Sequence, residues 1–233
     1  MLKTNIIKVK NKANKSIGSI NNQLQKFSKT ISKLLKVINQ ILTQRQKLNR
    51  IILSQKSLKI HLGCGQDYIE GDLNIDSSFD SKADIIRDCN KLDCFPDGCA
   101  DLIESYHFFE HFQLHEARFA LREWYRILKP GGLVIIELPN LEVCAQEIGK
   151  HFNKNGSIDM AVAAIYSWPP KVAEYGYPML HKWGWTPKSL EAELLEAGFT
   201  EIQQHPIRQT WRTGGLAWNR DMQIRATKPL IND

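Results

Sequence analysis

Two short stretches hold most of the residues that could do chemistry. In the first, an apolar run ends in His61-Leu62-Gly63-Cys64-Gly65, and a second short run then ends in Asn74-Ile75-Asp76. Glycines at a strand's carboxyl end let the backbone approach a ligand that a Cβ would exclude, and a carboxylate closing the next strand can accept both hydroxyls of a ribose. A nicotinamide fingerprint wants a third glycine and an acid roughly 20 residues on. Here Gln66 and Asp67 follow Gly65, and Asp76 comes only eleven residues after it, which argues against a dehydrogenase. The second stretch is His107-Phe108-Phe109-Glu110-His111. Its H-x-x-E-H spacing matches an inverted zinc-protease motif, in which both histidines must share one face of a helix. Because the stretch directly follows a predicted strand, the sequence predicts no metal site and no bound zinc.

The elements that must position these residues can be read from pattern. Strand-like runs fall at 58–62, 72–76, 83–87, 100–105, 133–138, 199–207 and 221–227. Gln113 to Leu128 reads as a core helix with Leu114, Ala117, Leu121, Trp124, Tyr125 and Leu128 on one face, ended by Lys129-Pro130-Gly131-Gly132. A later helix takes Thr186 as N-cap and Pro187 at its first position, buries Leu190, Leu194 and Leu195, and stops at Gly198. Strands alternating with helices predict an α/β fold with a parallel, doubly wound sheet.

Taken in order, the glycine turn, Asp76, Asp84-Ile85-Ile86-Arg87-Asp88, Ala100–Ser105 and Leu128–Ile136 resemble class I S-adenosylmethionine-dependent methyltransferases, in particular the group acting on small-molecule or glycan-type acceptors. The resemblance implies a Rossmann-like seven-stranded sheet whose last strand inserts antiparallel beside the sixth, and S-adenosyl-L-methionine as cofactor. It also assigns residues. Gly63 and Gly65, with Cys64 between, would face the methionine and ribose; Asp76 would hold the ribose hydroxyls; Asp88 and the Cys89 backbone would meet the adenine; Ser105 and Tyr106 would flank the sulfonium. The short step from Gly65 to Asp76 is similar to members whose first helix is cut down to an irregular turn. His107 would point toward the methyl group, and a histidine with an unperturbed pKa near ~6.5 is a candidate general base for an oxygen nucleophile.

Between Pro139 and Thr186 some 45 residues interrupt the plain fold, and they are rich in aromatics. Long aromatic insertions are commonly lids or acceptor pockets, although several of these rings could simply pack the insertion onto the sheet. His181, Trp183 and Tyr166 are the substrate-binding candidates. His181-Lys182-Trp183-Gly184-Trp185 resembles the acceptor-side turn of many glycan-associated methyltransferases.

Composition separates a different region. Residues 1–57 hold thirteen Lys/Arg and no acid, leaving 18 basic against 25 acidic residues in the rest. Residues 1–16 read as a disordered basic tail. From Ile17 to Ile52 apolar residues recur at steps of three and four, broken only at Arg45, with lysines on the outer positions. That heptad pattern predicts an amphipathic helix over 17–53, suited to self-association, to packing on its own catalytic domain or to an anionic membrane surface. The catalytic domain is expected over 58–233. Its net negative charge disfavours a nucleic-acid substrate, and a fold retained as a catalytically inactive scaffold is the other rival reading. Five cysteines in a chain without a leader fit reduced thiols and a cytoplasmic location, with the basic helix permitting a peripheral membrane position.

Overall fold

The computed structural model describes residues 57–208 and 219–230, together with Leu24, Gln25, Phe27, Ser28, Ile31, Leu48 and Arg50. The chain divides into Met1–Leu53 and Ser54–Asp233. In the first unit the seven described residues are all helical; the tail over 1–16 and the rest of the expected 17–53 heptad helix lie outside the described residues. Among the described residues, no helix is long and apolar enough to cross a membrane.

The second unit is built on a seven-stranded sheet in the order β3-β2-β1-β4-β5-β7-β6. Its strands are β1 (Lys59–Leu62), β2 (Leu73–Asp76), β3 (Ile85–Ile86), β4 (Ala100–Tyr106), β5 (Leu128–Pro139), β6 (Thr200–His205) and β7 (Asp221–Thr227). The first five are parallel, and β7 runs antiparallel between β5 and β6. β2 and β4 flank β1 on opposite sides, so the chain reverses its winding there and opens a crevice at the carboxyl ends of the strands, where both stretches singled out above begin.

Among the described residues of this unit, five α-helices follow from local chemistry. α1 (Leu114–Ile127) starts where Glu116 accepts the Gln113 N–H at 2.8 Å, and it buries Ala117, Ala120, Leu121, Trp124 and Ile127. The Trp124 indole donates to the Cys89 carbonyl at 3.0 Å, tying α1 to the loop after β3. α2 (Leu141–Glu147), α3 (Met160–Tyr166) and α4 (Pro169–Tyr175) lie within the insertion. α5 (Pro187–Glu196) has the expected Thr186 cap, which accepts the Ser189 N–H at 3.1 Å. Leu190 and Leu194 are buried as expected, but Leu195 is 56% exposed. One residue beyond Leu194 is about 100° further round a helix, which takes Leu195 off the packed face.

Two further expectations change. β5 begins at Leu128, not 133: Leu128 pairs with Ala100, the register then shifts, and pairing resumes at Leu102 with Leu133. Lys129-Pro130-Gly131-Gly132 is thus an irregular strand entry, with Gly131 at φ +77° supplying the bend. The sheet's faces also differ more than a buried parallel sheet requires. In register, Ile60, Ile75, Ile103, Val134, Ile136 and Ile224 form one apolar face, while His61, Asn74, Glu104, Tyr106, Glu137 and Gln223 line the other; all are buried.

Candidate active site

The glycine turn is built as its residues predict. Gly63 and Cys64 both donate backbone N–H groups to the Ile75 carbonyl, at 2.9 and 3.2 Å, so the turn folds over the end of β2. Gly65, at φ +50°, donates its N–H to Asp76 Oδ2 at 2.8 Å, and Ser78 N–H reaches Asp76 Oδ1 at 2.7 Å. The carboxylate is therefore oriented by two amides at the strand end. A Cβ at Gly65 would meet nothing within 4 Å, which leaves open space over the turn. A Cβ at Gly63 would lie 1.9 Å from Phe108 Cγ. Gly63 is needed so that the 107–111 turn can sit on the glycine turn, a role that sequence reasoning did not give it.

The other cofactor-side residues fall into two groups. Ser105, the penultimate residue of β4, is fully buried with no hydrogen-bond partner for its hydroxyl, so it offers a free donor beside β1. Cys64 and Cys89 are buried thiols, that of Cys64 pushed up to about 12 by burial, which makes them packing groups and not nucleophiles. Asp88 is exposed and accepts the Asn90 N–H within its own loop. The Tyr106 side chain turns to the polar face: its hydroxyl donates to Glu104 at 2.8 Å, and Arg208 lies 3.0 Å from it. Only the Tyr106 backbone remains at the strand end, because alternation along β4 sends its ring to the same side as Glu104.

His107 is bracketed by two carboxylates. It sits at φ +50° with its ring nearly buried, Nδ1 3.6 Å from Glu110 Oε1 and Nε2 3.4 Å from Asp221 Oδ2. Burial alone would lower its pKa, but the two carboxylates prevail and raise it to about 9. The same contacts hold Asp221 and Glu110 well below the usual carboxylate range against burial, Asp221 with help from Arg220 and Glu110 with help from His181 and His111. At neutral pH this is an imidazolium between two carboxylates, and a protonated imidazole has no lone pair with which to accept a proton. Asp221 was missed from sequence because only the sheet order brings the start of β7 to the end of β4, whereas Glu110 was visible in the H-x-x-E-H stretch but not as a partner of His107.

On the acceptor side, the insertion is stitched to the 107–111 turn. The Glu110 carbonyl accepts from Lys182 N–H at 2.8 Å and Trp183 N–H at 3.3 Å, His111 Nδ1 meets the Leu180 carbonyl at 3.0 Å, and the Trp185 and Phe109 rings pack 5.3 Å apart. Glu110, Leu141, Cys144, His181, Trp183 and Gly184 line a small crevice there. Of the three substrate-side candidates, His181 and Trp183 share this crevice. Tyr166, at the end of α3, is 65% exposed and is not among its lining residues.

Residues 60–136, from β1 to within β5, match the family described as a methyltransferase domain. No curated protein matches the chain. Among solved structures it is similar in fold to an S-adenosylmethionine-dependent methyltransferase from Archaeoglobus fulgidus, with TM-score 0.50 and 17% identity over 81% of this chain and 94% of that one. It is similar to another from Mesorhizobium loti, with TM-score 0.50 and 16% identity over 79% and 97%. The matched stretch contains the glycine turn, Asp76, Asp88, Cys89, Ser105 and the 107–111 turn. S-adenosyl-L-methionine is the cofactor of this domain, and the open space over Gly65 and the unpartnered Ser105 hydroxyl fit such a ligand.

Proposed function

We propose that the protein transfers a methyl group from S-adenosylmethionine to a small-molecule or glycan-type acceptor, through an oxygen atom, in the crevice under residues 140–186. The observation that carries this reading is the position of the 107–111 turn. Phe108 rests on Gly63 of the cofactor-side turn, and two residues later Glu110 lines the crevice with His181 and Trp183. One short turn thus spans the two half-sites that an in-line displacement must align.

The bound cofactor supplies an electrophilic methyl on a sulfonium sulfur. The chain supplies position. Asp76, pre-oriented by the Gly65 and Ser78 amides, would hold the ribose; the Ser105 hydroxyl and the backbone at Tyr106 would flank the sulfonium; Asp88 and the Cys89 loop would border the adenine. Trp183, 42% exposed at the crevice, offers an indole face to a flat or sugar-like acceptor. In this reading His107 positions the turn through Asp221 and Glu110 instead of accepting the acceptor's proton.

Calorimetry of the full chain with S-adenosylhomocysteine tests the cofactor half. We expect saturable one-to-one binding, weakened in Asp76→Ala by about 1.5–3 kcal/mol, the cost of leaving buried hydroxyls without a charged partner. Equal affinity in wild type and mutant would remove Asp76 from the site.

A further inference from the structure

We propose that Glu110, His111 and His181 bind a divalent transition-metal ion, zinc foremost, at the acceptor side of the site. One donor atom from each lies within 4.8 Å of the others, and Glu110 Oε1 is already 3.8 Å from His181 Nε2. A tetrahedral ion with bonds of about 2.0–2.1 Å needs its donors roughly 3.3–3.4 Å apart, so side-chain shifts on the order of an ångström complete the site.

The hydrogen bonds fix the tautomers this requires. His111 Nδ1 lies 3.0 Å from the Leu180 carbonyl, and His181 Nδ1 lies 2.8 Å from the Ala164 carbonyl. A carbonyl only accepts, so both Nδ1 atoms carry the proton and each neutral ring keeps its lone pair on Nε2. A ring nitrogen tied back to a carbonyl while the other faces the ion is how protein metal sites orient histidine.

Glu110 provides an independent reason. Its side chain is 3% exposed, yet neither carboxylate oxygen has a hydrogen-bond partner. The nearest ring nitrogens, at 3.6 and 3.8 Å, are beyond hydrogen-bond reach. The His107 imidazolium balances this charge only from 3.6 Å, so a buried carboxylate without a hydrogen bond still has room for a cation at bonding distance. The frame is already rigid, since Glu110 and the 182–183 backbone are bonded directly.

The H-x-x-E-H spacing therefore misleads only in part. His107 faces Asp221, and His181, seventy residues beyond His111, takes the place of the motif's first histidine. Two imidazoles and one carboxylate suit Zn²⁺ and leave a fourth position for a further ligand, and two of the three, Glu110 and His181, also line the crevice. Metal binding itself does not rest on the methyltransferase reading, but the ion's use does. There it would acidify an acceptor hydroxyl, whose proton passes to water; the oxygen then takes the methyl, and sulfur leaves with the S–C electron pair as a neutral thioether. That removes the need for an imidazole base.

Full-length protein stripped with chelator and titrated with ZnSO₄ and, separately, CoCl₂ tests the site, with metal content read by elemental analysis and cobalt by its visible absorption. One equivalent should bind in wild type and in the exposed control His115→Ala. Glu110→Gln and His181→Ala should weaken binding by more than the 10–100-fold that outer-shell changes cost. S-adenosylhomocysteine affinity measured on the same samples reports whether each variant is folded. No zinc in wild type, or zinc retained in the Glu110→Gln/His181→Ala double variant, overturns the metal site. Zinc bound without any cofactor binding overturns the methyltransferase reading and leaves the metal site standing.

Discussion

The turn after β1 and the turn after β4 lie at the same end of the sheet but are satisfied in opposite ways. In the first, donors and acceptors answer each other locally: Gly63 and Cys64 bond the Ile75 carbonyl, and Gly65 and Ser78 bond Asp76. In the second the backbone is bonded and His111 reaches the Leu180 carbonyl, but two other side chains are not satisfied. Both Glu110 oxygens and His107 Nε2 are buried without a hydrogen bond. The first turn is a finished cradle, whereas the second holds charge in a frame that other charges must balance.

Breaking the second turn should cost most. His107→Ala leaves Asp221 and Glu110 buried without their shared cation, and removing one member of such a group costs about 3–5 kcal/mol. Urea denaturation should register that loss. A change under about 1 kcal/mol would mean the carboxylates are held by other groups.

Glycine substitutions should then separate the two turns. Gly63→Ala drives a Cβ to 1.9 Å from Phe108 and adds strain at φ +70°, so it should destabilise by about 2–4 kcal/mol and dislodge the 107–111 turn. Gly65→Ala meets no neighbour and should cost only the left-handed backbone penalty, about 1–2 kcal/mol. Thermal unfolding of the pair side by side checks the order; equal losses would mean Phe108 does not rest on Gly63.

The first turn was legible in sequence because everything it needs is local. Glycines, a strand and an acid eleven residues on define it, and the strand pattern and the Thr186 cap of α5 are read the same way. The second turn was visible as a motif but not as a site. Its partners come from residues 181 and 221, and only sheet order and the path of the insertion join them. His107 looked like a base because its motif carries no sign of Asp221 waiting at the start of β7. The directions of the Tyr106 ring and of Leu195 were not legible for a simpler reason: a single step along a strand or a helix changes the face, and the pattern had not fixed which face was in use.

A smaller effect is expected from pH. Glu110 and Asp221 have folded pKa values below their unfolded ones, so their contribution is present above about 4.5 and is lost as pH falls toward 2. His107 has a folded value above its unfolded one, so its contribution is full below 6.5 and is lost as pH rises through about 9. Metal-free protein should therefore be most stable between roughly pH 4.5 and 6.5, and His107→Ala should lose the alkaline decline. An unchanged alkaline limb in the mutant would assign it to another group.

The central claim, a cofactor seated on the finished turn and reaching toward the unfinished one, is tested most directly by a crystal structure of the full chain with S-adenosylhomocysteine. The account predicts the ribose hydroxyls on Asp76, the adenine beside Asp88 and Cys89, and the sulfur directed past Ser105 toward the crevice of Glu110 and Trp183. A ligand bound elsewhere, or one on this turn with Asp76 still bonded only to Gly65 and Ser78, would contradict it.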